Sequence, residues 1–180
     1  MAAPARFRIT AWLIDCLWIL AWAMVTASLG VPAYRAGWIQ PASMIGLNLI
    51  GAVVVVVPVV AAAAWFESRA VSATPGKRLL NLVVLSPTGC PAFLAALLRN
   101  AVKIGLPWLI GHAAVFAIVA TSSRGTGSIP IWVWVLTGVA YAIPVLYLVS
   151  LFAAGGRTVY DRLSHTTVQR ITIGFIQDDH

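Results

Sequence analysis

The chain has 180 residues, of which 61% are hydrophobic and only 9% are charged. A soluble domain of this length needs far more charged surface, so the composition excludes a soluble globular protein and favours one embedded in a bilayer. The net charge of +7 is scattered between apolar segments, which argues against nucleic-acid binding. The two cysteines have no partner at metal-ligand spacing, so we expect no metal site and no cofactor.

Four apolar segments, each about long enough to cross a bilayer, follow one another along the chain. The first resembles a signal peptide in its flanking residues, but its length and its internal Asp15 favour a retained helix. The sequence thus predicts an all-α membrane protein, a four-transmembrane-helix bundle formed by a single domain over residues 1–180. The predicted spans are residues 9–29, 44–66, 101–120 and 131–152, with a loop at 67–100 and a tail at 153–180.

Basic residues are distributed unevenly between the loops. Ten lie in the N-terminal segment, the second loop with the start of span three, and the tail, whereas Arg35 and Arg124 are alone in the other two loops. The positive-inside rule then predicts that both termini and the second loop are cytoplasmic, in a multi-pass protein of the bacterial plasma membrane. An even number of spans is consistent with this orientation.

The predicted cytoplasmic segments carry local structure of their own. The runs "NLVVLSPTG" and "HTTVQRITIG" have β-rich composition and a turn signal, and they form either a small paired ribbon or two separate flaps. The stretch "PAFLAALLRNAVK" predicts an amphipathic helix that lies in the membrane interface. Arg99 and Lys103 are four residues apart, so we expect them to share a face and reach lipid headgroups.

Asp15 lies inside the first predicted span, and Arg8 lies at its start. Seven residues separate them, which places them on one helix face about 10 Å apart, too far for a direct ion pair. Asp15 therefore needs a partner from another helix or from the cytoplasmic segments. Two interpretations remain open: Asp15 belongs to an ion or proton path, or it accepts structural hydrogen bonds that fix the packing.

Other charged residues lie near the membrane surface. Asp161 forms either a local surface pair with Arg157 or Arg162, or a longer-range contact that anchors the tail under the bundle. Candidates for that wider network are Arg8, Arg78, Arg99, Glu67 and Arg69.

The basic pair in the second loop and a histidine in span three each have a structural and a functional interpretation. Lys77 and Arg78 lack the spacing of a phosphate-binding loop and predict a basic turn that contacts anionic lipid. His112, inside span three, is either a hydrogen-bonded structural residue or a proton relay.

Three stretches in order, "RITAWLID", "TPGKRLLNLVVLSPTGCPAFLAALLRN" and "GRTVYDRLSHTTV", resemble the RDD family of bacterial membrane proteins. The resemblance places the family's arginine on Arg8 and its two aspartates on Asp15 and Asp161. One departure is Asn81, where many members have glycine. The resemblance also implies a structural turn glycine and a set of basic residues in the loop. These are Gly76, Lys77, Arg78 and Arg99.

The resemblance implies, as one candidate function, the exchange of monovalent cations for protons. Asp15 would bind the ion or proton with Arg8 and Asp161 beside it, and four spans would have to oligomerise to enclose a path. The alternative is a non-catalytic scaffold or accessory protein that binds protein partners or anionic lipid through its basic face. We expect that the protein is not an enzyme. No Ser/His/Asp set, metal cluster or pair of carboxylates is placed at a shared depth in the membrane.

Overall fold

The computed structural model describes residues 2–40, 43–123, 129–152 and 156–171. Within these ranges, four helices are long and apolar enough to cross a membrane, as the sequence predicts. They cover Ala5–Arg35, Ile45–Glu67, Phe93–Ser122 and Ile131–Phe152. Short helices and a two-stranded ribbon, formed by the second loop and the tail, complete the described fold.

Two of the four spans contain a π-helical turn, so each of them consists of two α-helical elements. The π turns are Ala52–Val56 and Ala101–Gly105. In chain order the other elements are α1 (Ala5–Arg35), α2 (Met44–Gly51), α3 (Val57–Glu67), α4 (Pro75–Leu79), β1 (Leu82–Leu85), α5 (Phe93–Asn100), α6 (Leu106–Ser123), α7 (Ile131–Phe152), α8 (Val159–Leu163) and β2 (Thr167–Arg170).

A proline lies two residues after the end of each π turn, and proline cannot donate a backbone hydrogen bond. The carbonyl of Val54, four residues before Pro58, accepts a bond from Trp22 Nε1 at 3.2 Å. The carbonyl of Val102, five residues before Pro107, accepts one from the Tyr147 hydroxyl at 2.9 Å. Neighbouring helices thus supply the donors that the prolines lack, which lets both spans continue without a break.

The predicted interfacial helix forms, but it is not separate from span three. Helix α5 continues through the π turn into α6, so the third span begins at Phe93 and not near residue 101. Its exposed side carries Leu94 and Leu98, whereas Arg99 is only 1% exposed and faces the bundle. The expectation that Arg99 reaches lipid headgroups is therefore wrong, because its charge is paired inside the protein. Lys103 is half-buried.

Helix α1 is longer than the predicted span, with 31 residues from Ala5 to Arg35. At 1.5 Å per residue it rises about 46 Å, whereas the hydrocarbon core of a bilayer is about 30 Å thick. The part of α1 that follows Asp15 is by itself about 30 Å long. That part alone is long enough to cross the hydrocarbon core, so the length of α1 does not require Asp15 to lie at the bilayer centre.

The two β-rich runs pair into a small ribbon, which was one of the two expectations, and do not form separate flaps. Strands β1 and β2 are antiparallel, with Leu82 opposite Arg170 and Leu85 opposite Thr167. The N-terminal segment joins them, because the amide of Ala3 donates to the carbonyl of Val168 at 2.8 Å. The predicted strand continues beyond residue 171, outside the described residues. A small apolar core unites these segments, and it contains Ala3, Ala11, Leu82, Val84 and Val168.

Asn81, the departure from the family pattern, lies between α4 and β1 with a φ of 54°. This left-handed conformation suits glycine, and asparagine is one of the few other residues that adopt it readily. The carbonyl of Asn81 also accepts a bond from the amide of Ile171 at 2.8 Å. The backbone shape that glycine provides is thus retained in this chain.

Candidate functional site: a buried charge cluster

Six charged side chains come together at the end of the bundle where the ribbon lies, which we call the polar end. They arise from α1, the end of α3, α4, α5 and α8, so five separate elements meet there. None is more than 8% exposed. We call this set the charge cluster: Arg8, Asp15, Glu67, Lys77, Arg99 and Asp161.

Asp161 fastens the tail to two helices of the bundle. Its carboxylate accepts a hydrogen bond from Arg8 Nη2 at 2.5 Å. It also accepts two bonds from Arg99, one from Nη2 at 2.9 Å and one from Nε at 3.1 Å. Thr158 and Asp161 also form a capping box at the start of α8, in which each side chain accepts the other's backbone amide. Arg8 donates in addition to the carbonyl of Gly156. The wider network expected for Asp161 therefore forms, in place of a local surface pair.

Glu67 occupies the centre of the cluster. Both of its oxygens accept Arg99 Nη1, at 2.6 and 2.8 Å, and Lys77 Nζ lies 2.6 Å from Oε1. Asn100 Nδ2 adds a bond of 2.8 Å to Oε2. Arg99 contacts Glu67 and Asp161 at the same time, and it thereby joins span two, span three and the tail.

Asp15 finds its partner in the second loop. Thr74 Oγ1 donates to one carboxylate oxygen at 2.6 Å, and the amide of Gly76 donates to the other at 2.8 Å. Trp18 Nε1 adds a longer bond of 3.3 Å. Lys77 Nζ also donates to Thr74 Oγ1 at 3.1 Å, which links Asp15 to Glu67 through one hydroxyl. Asp15 does not pair with Arg8, in agreement with their predicted separation.

Gly76 has a different structural role from the predicted turn. It lies in the helix α4, and an added Cβ would be 2.2 Å from the carbonyl oxygen of Ala11 and 3.0 Å from Asp15 Oδ1. Glycine is therefore needed for close contact between α4 and α1, and not for a turn conformation. This contact is what brings the Gly76 amide to the Asp15 carboxylate.

Two arginines expected near the network lie outside it. Arg78 is exposed, donates from Nε to the carbonyl of Ala73 at 3.0 Å and lies over the ring of Phe66. Successive residues of a helix point about 100° apart, so α4 turns Lys77 inward and Arg78 outward. Arg69 is also exposed and stacks over Trp65, with 3.5 Å between the guanidinium carbon and the ring centre.

Three neutral residues of the site were not singled out from the sequence. Thr74, Asn100 and Thr158 are at most 2% exposed and all bond to its carboxylates. For Thr158 a signal was present, because a threonine three residues before an aspartate predicts a capping box. Thr74 and Asn100 carry no comparable pattern, and only the folded arrangement reveals them.

His112 lies away from the cluster and packs among aromatic rings. It stacks on Trp108, with 3.7 Å between ring centres, and meets Phe116 edge-on at 5.2 Å. Its Nδ1 has no hydrogen-bond partner among the described residues. Across the same residues, no group of His, Cys, Asp or Glu side chains is arranged to hold a metal ion.

The charge cluster contains three carboxylates and three cations, and the cations pair with Glu67 and Asp161, whereas Asp15 accepts from neutral donors. Burial alone would raise the pKa of Asp161, but Arg99 and Arg8 outweigh it and hold that pKa at about 2. Burial lowers the pKa of Lys77 to about 8, although Glu67 favours its charged form. Each carboxylate thus has several donors, and the arrangement is suited to fixing helices and loops against one another.

The sequence matches the model of the RDD family over residues 2–165. This range includes all six residues of the charge cluster and nearly the whole chain. No curated protein and no solved structure gives a significant match.

Replacing Gly76 by alanine should separate α4 from α1. The new Cβ overlaps the Ala11 carbonyl, so we expect the free energy of unfolding to fall by about 1–3 kcal/mol. Thermal unfolding in detergent measures this change. Gly111→Ala is the matched control, because nothing lies within 4 Å of a Cβ at that position in α6. Equal stability of the two variants would contradict the close contact.

Acid should loosen the tail by protonating Asp161. Its pKa is about 2 in the folded chain and near 3.8 when unfolded, so its ionised form stabilises the fold above about pH 4. This contribution, about 2 kcal/mol, is lost as the pH falls from 4 to 2. Unfolding measured across this range should show a steeper loss for the wild type than for Asp161→Asn. Parallel pH profiles would argue against an ionised, paired Asp161.

Proposed function

The chain belongs to the RDD family of membrane proteins, and from this premise we propose that it is a non-catalytic membrane module that binds anionic lipid. In this proposal the polar end faces the cytoplasm of a bacterial cell and lies against the headgroups of the plasma membrane. The charge cluster holds the second loop and the tail in position, so that they present one continuous basic surface.

The observation that carries this proposal is the segregation of charge at the polar end. The carboxylates of Asp15, Glu67 and Asp161 are all buried. Five arginines of the same region are exposed, and none of them pairs with a carboxylate among residues 2–40, 43–123, 129–152 and 156–171. These arginines, which we call the arginine face, are Arg6, Arg69, Arg78, Arg162 and Arg170.

A surface of this kind suits a negatively charged bilayer. Each arginine or lysine near an anionic membrane surface contributes about 1 kcal/mol of attraction. Leu94 and Leu98 are exposed on α5, at the beginning of the third span beside the cluster, so apolar side chains adjoin the basic surface where it would meet the bilayer. The orientation follows from the positive-inside rule: Arg35 is at the opposite end of α1, and Arg124 lies outside the described residues.

The proposal is tested by comparing lipids retained on the purified protein. In an equal mixture of phosphatidylglycerol and phosphatidylcholine, native mass spectrometry should show enrichment of phosphatidylglycerol. Arg78→Gln and Arg162→Gln should each weaken that enrichment about fivefold, since each removes about 1 kcal/mol of attraction. Arg35→Gln, at the other end of α1, is the control and should leave it unchanged. Enrichment that is absent, or equally reduced by all three variants, would refute the proposal.

Cation–proton exchange is a second candidate, and the position of Asp15 favours it. This carboxylate is 3% exposed and belongs to the first span, where ionisable groups commonly mark an ion or proton path. To bind a cation, Asp15 must exchange the bonds from Thr74 and Gly76 for the ion. Four spans would assemble as a homo-oligomer to enclose the path.

Exchange predicts that a neutral residue at position 15 stops ion movement. In liposomes containing a pH dye, pulses of sodium, lithium or potassium should move protons with the wild type and not with Asp15→Asn. Thr74→Val is the matched control, because it removes a donor to Asp15 but keeps the carboxylate. Flux that persists in Asp15→Asn would exclude this role for Asp15, and wild-type protein without flux would leave the lipid-binding module as the only candidate.

A further inference from the structure

A groove of about 260 Å³ lies at the edge of the ribbon, on a different part of the polar end from the charge cluster. Two basic residues, Arg157 and His165, line it together with the polar side chains of Thr167, Gln169 and Ser86. Leu85 and Pro87 form its apolar side. Among the residues that the structure describes, no acidic side chain lines it, although every buried arginine of the charge cluster faces a carboxylate.

The ribbon itself directs the polar groups into this groove. Side chains alternate along a strand, and Val168 of β2 is buried in the small apolar core. Thr167 and Gln169 therefore point to the opposite face, where the groove lies. Leu85 of β1 is the register partner of Thr167, so the groove spans both strands.

Arg157 is held in place but keeps an unused donor. Its Nη2 donates to the carbonyl of Thr166 at 3.3 Å, which fixes the side chain against the ribbon. Its Nε is buried and has no hydrogen-bond partner among the described residues. The Nε atom has almost no accessible surface, so the remaining Nη donors of the same guanidinium are the ones that a ligand in the groove can reach.

We propose that this groove binds a phosphate-bearing anion. Guanidinium, hydroxyl and amide donors surround the groove, which suits a tetrahedral oxyanion with acceptors in several directions. The groove is open to solvent, and its volume of about 260 Å³ admits a phosphate group. Arg157 follows the end of α7 by a few residues, so the groove lies close to the level of lipid headgroups.

The same chemistry is offered by a phospholipid headgroup and by soluble phosphate. The inference is independent of the lipid-binding function proposed above, because the groove shares no residue with the arginine face. If lipid binding by the arginine face is disproved, the proposal for the groove still stands, and the reverse is also true. Each proposal is tested with its own variants.

The test uses the full chain in neutral detergent, labelled with ¹⁵N in its histidines. The ring signal of His165, assigned with His165→Gln, reports the groove, and the signal of His112 in the bundle serves as an internal reference. Inorganic phosphate and short-chain phosphatidylglycerol are added separately at constant pH, with chloride and a diacylglycerol as controls. We expect a saturable shift of His165 alone. A shift with phosphate identifies a site for the free anion, and one with the lipid only identifies a headgroup site.

Thr167 offers a matched pair of variants that does not disturb the charge cluster. Thr167→Glu places a carboxylate in the groove and should weaken binding at least about tenfold, whereas Thr167→Gln adds similar bulk without charge and should change it less than about threefold. Arg78→Gln, on the arginine face, should leave the His165 shift intact. The proposal is overturned if neither probe shifts His165, or if both Thr167 variants bind alike.

Discussion

The contact on which the rest depends is the bridge that Arg99 makes between Glu67 and Asp161. One guanidinium on α5 bonds both carboxylates, at distances of 2.6 to 3.1 Å, while it is only 1% exposed. Removing one partner of such a buried pair costs about 3–5 kcal/mol, because the remaining charges stay buried without compensation. Lys77 and Asn100 on one side, and Arg8 on the other, complete the bonding of the same two carboxylates. Spans one, two and three, the second loop and the tail are thus held by one shared set of charges.

Much of this architecture was predictable from the sequence, because its signals are local. Four apolar segments give the spans, and β-branched runs give the strands that pair. The energetic cost of a carboxylate within a span predicted that Asp15 has a partner, and the second loop provides it. Asp161 was expected to contact Arg8, Arg78 or Arg99, and it contacts the first and the last of these.

The remaining features depend on how each helix is rotated about its axis and how closely neighbouring helices pack, which no local sequence pattern specifies. Lys77 and Arg78 are adjacent in sequence, yet a short helix buries one and exposes the other. The π turn before Pro107 keeps α5 and α6 continuous, where an interfacial helix followed by a separate span was expected. The need for glycine at position 76 follows from its distance to Ala11, which is set by tertiary packing. These differences share one cause, since each depends on which neighbour a residue meets across the bundle.

The order in which the cluster's charges occur along the chain has a consequence for biosynthesis. Arg8, Glu67 and Arg99 are synthesised early, but Asp161 lies beyond the fourth span and is the last of the six to leave the ribosome. Until then Arg8 has no carboxylate partner in this cluster, and Arg99 has only Glu67. All four spans therefore precede the residue that pairs with Arg8, whose positive charge has no carboxylate from the cluster until the tail docks. A chain that ends before α8 therefore lacks the carboxylate that pairs with Arg8, and its N-terminal segment also lacks the Val168 carbonyl that accepts the amide of Ala3.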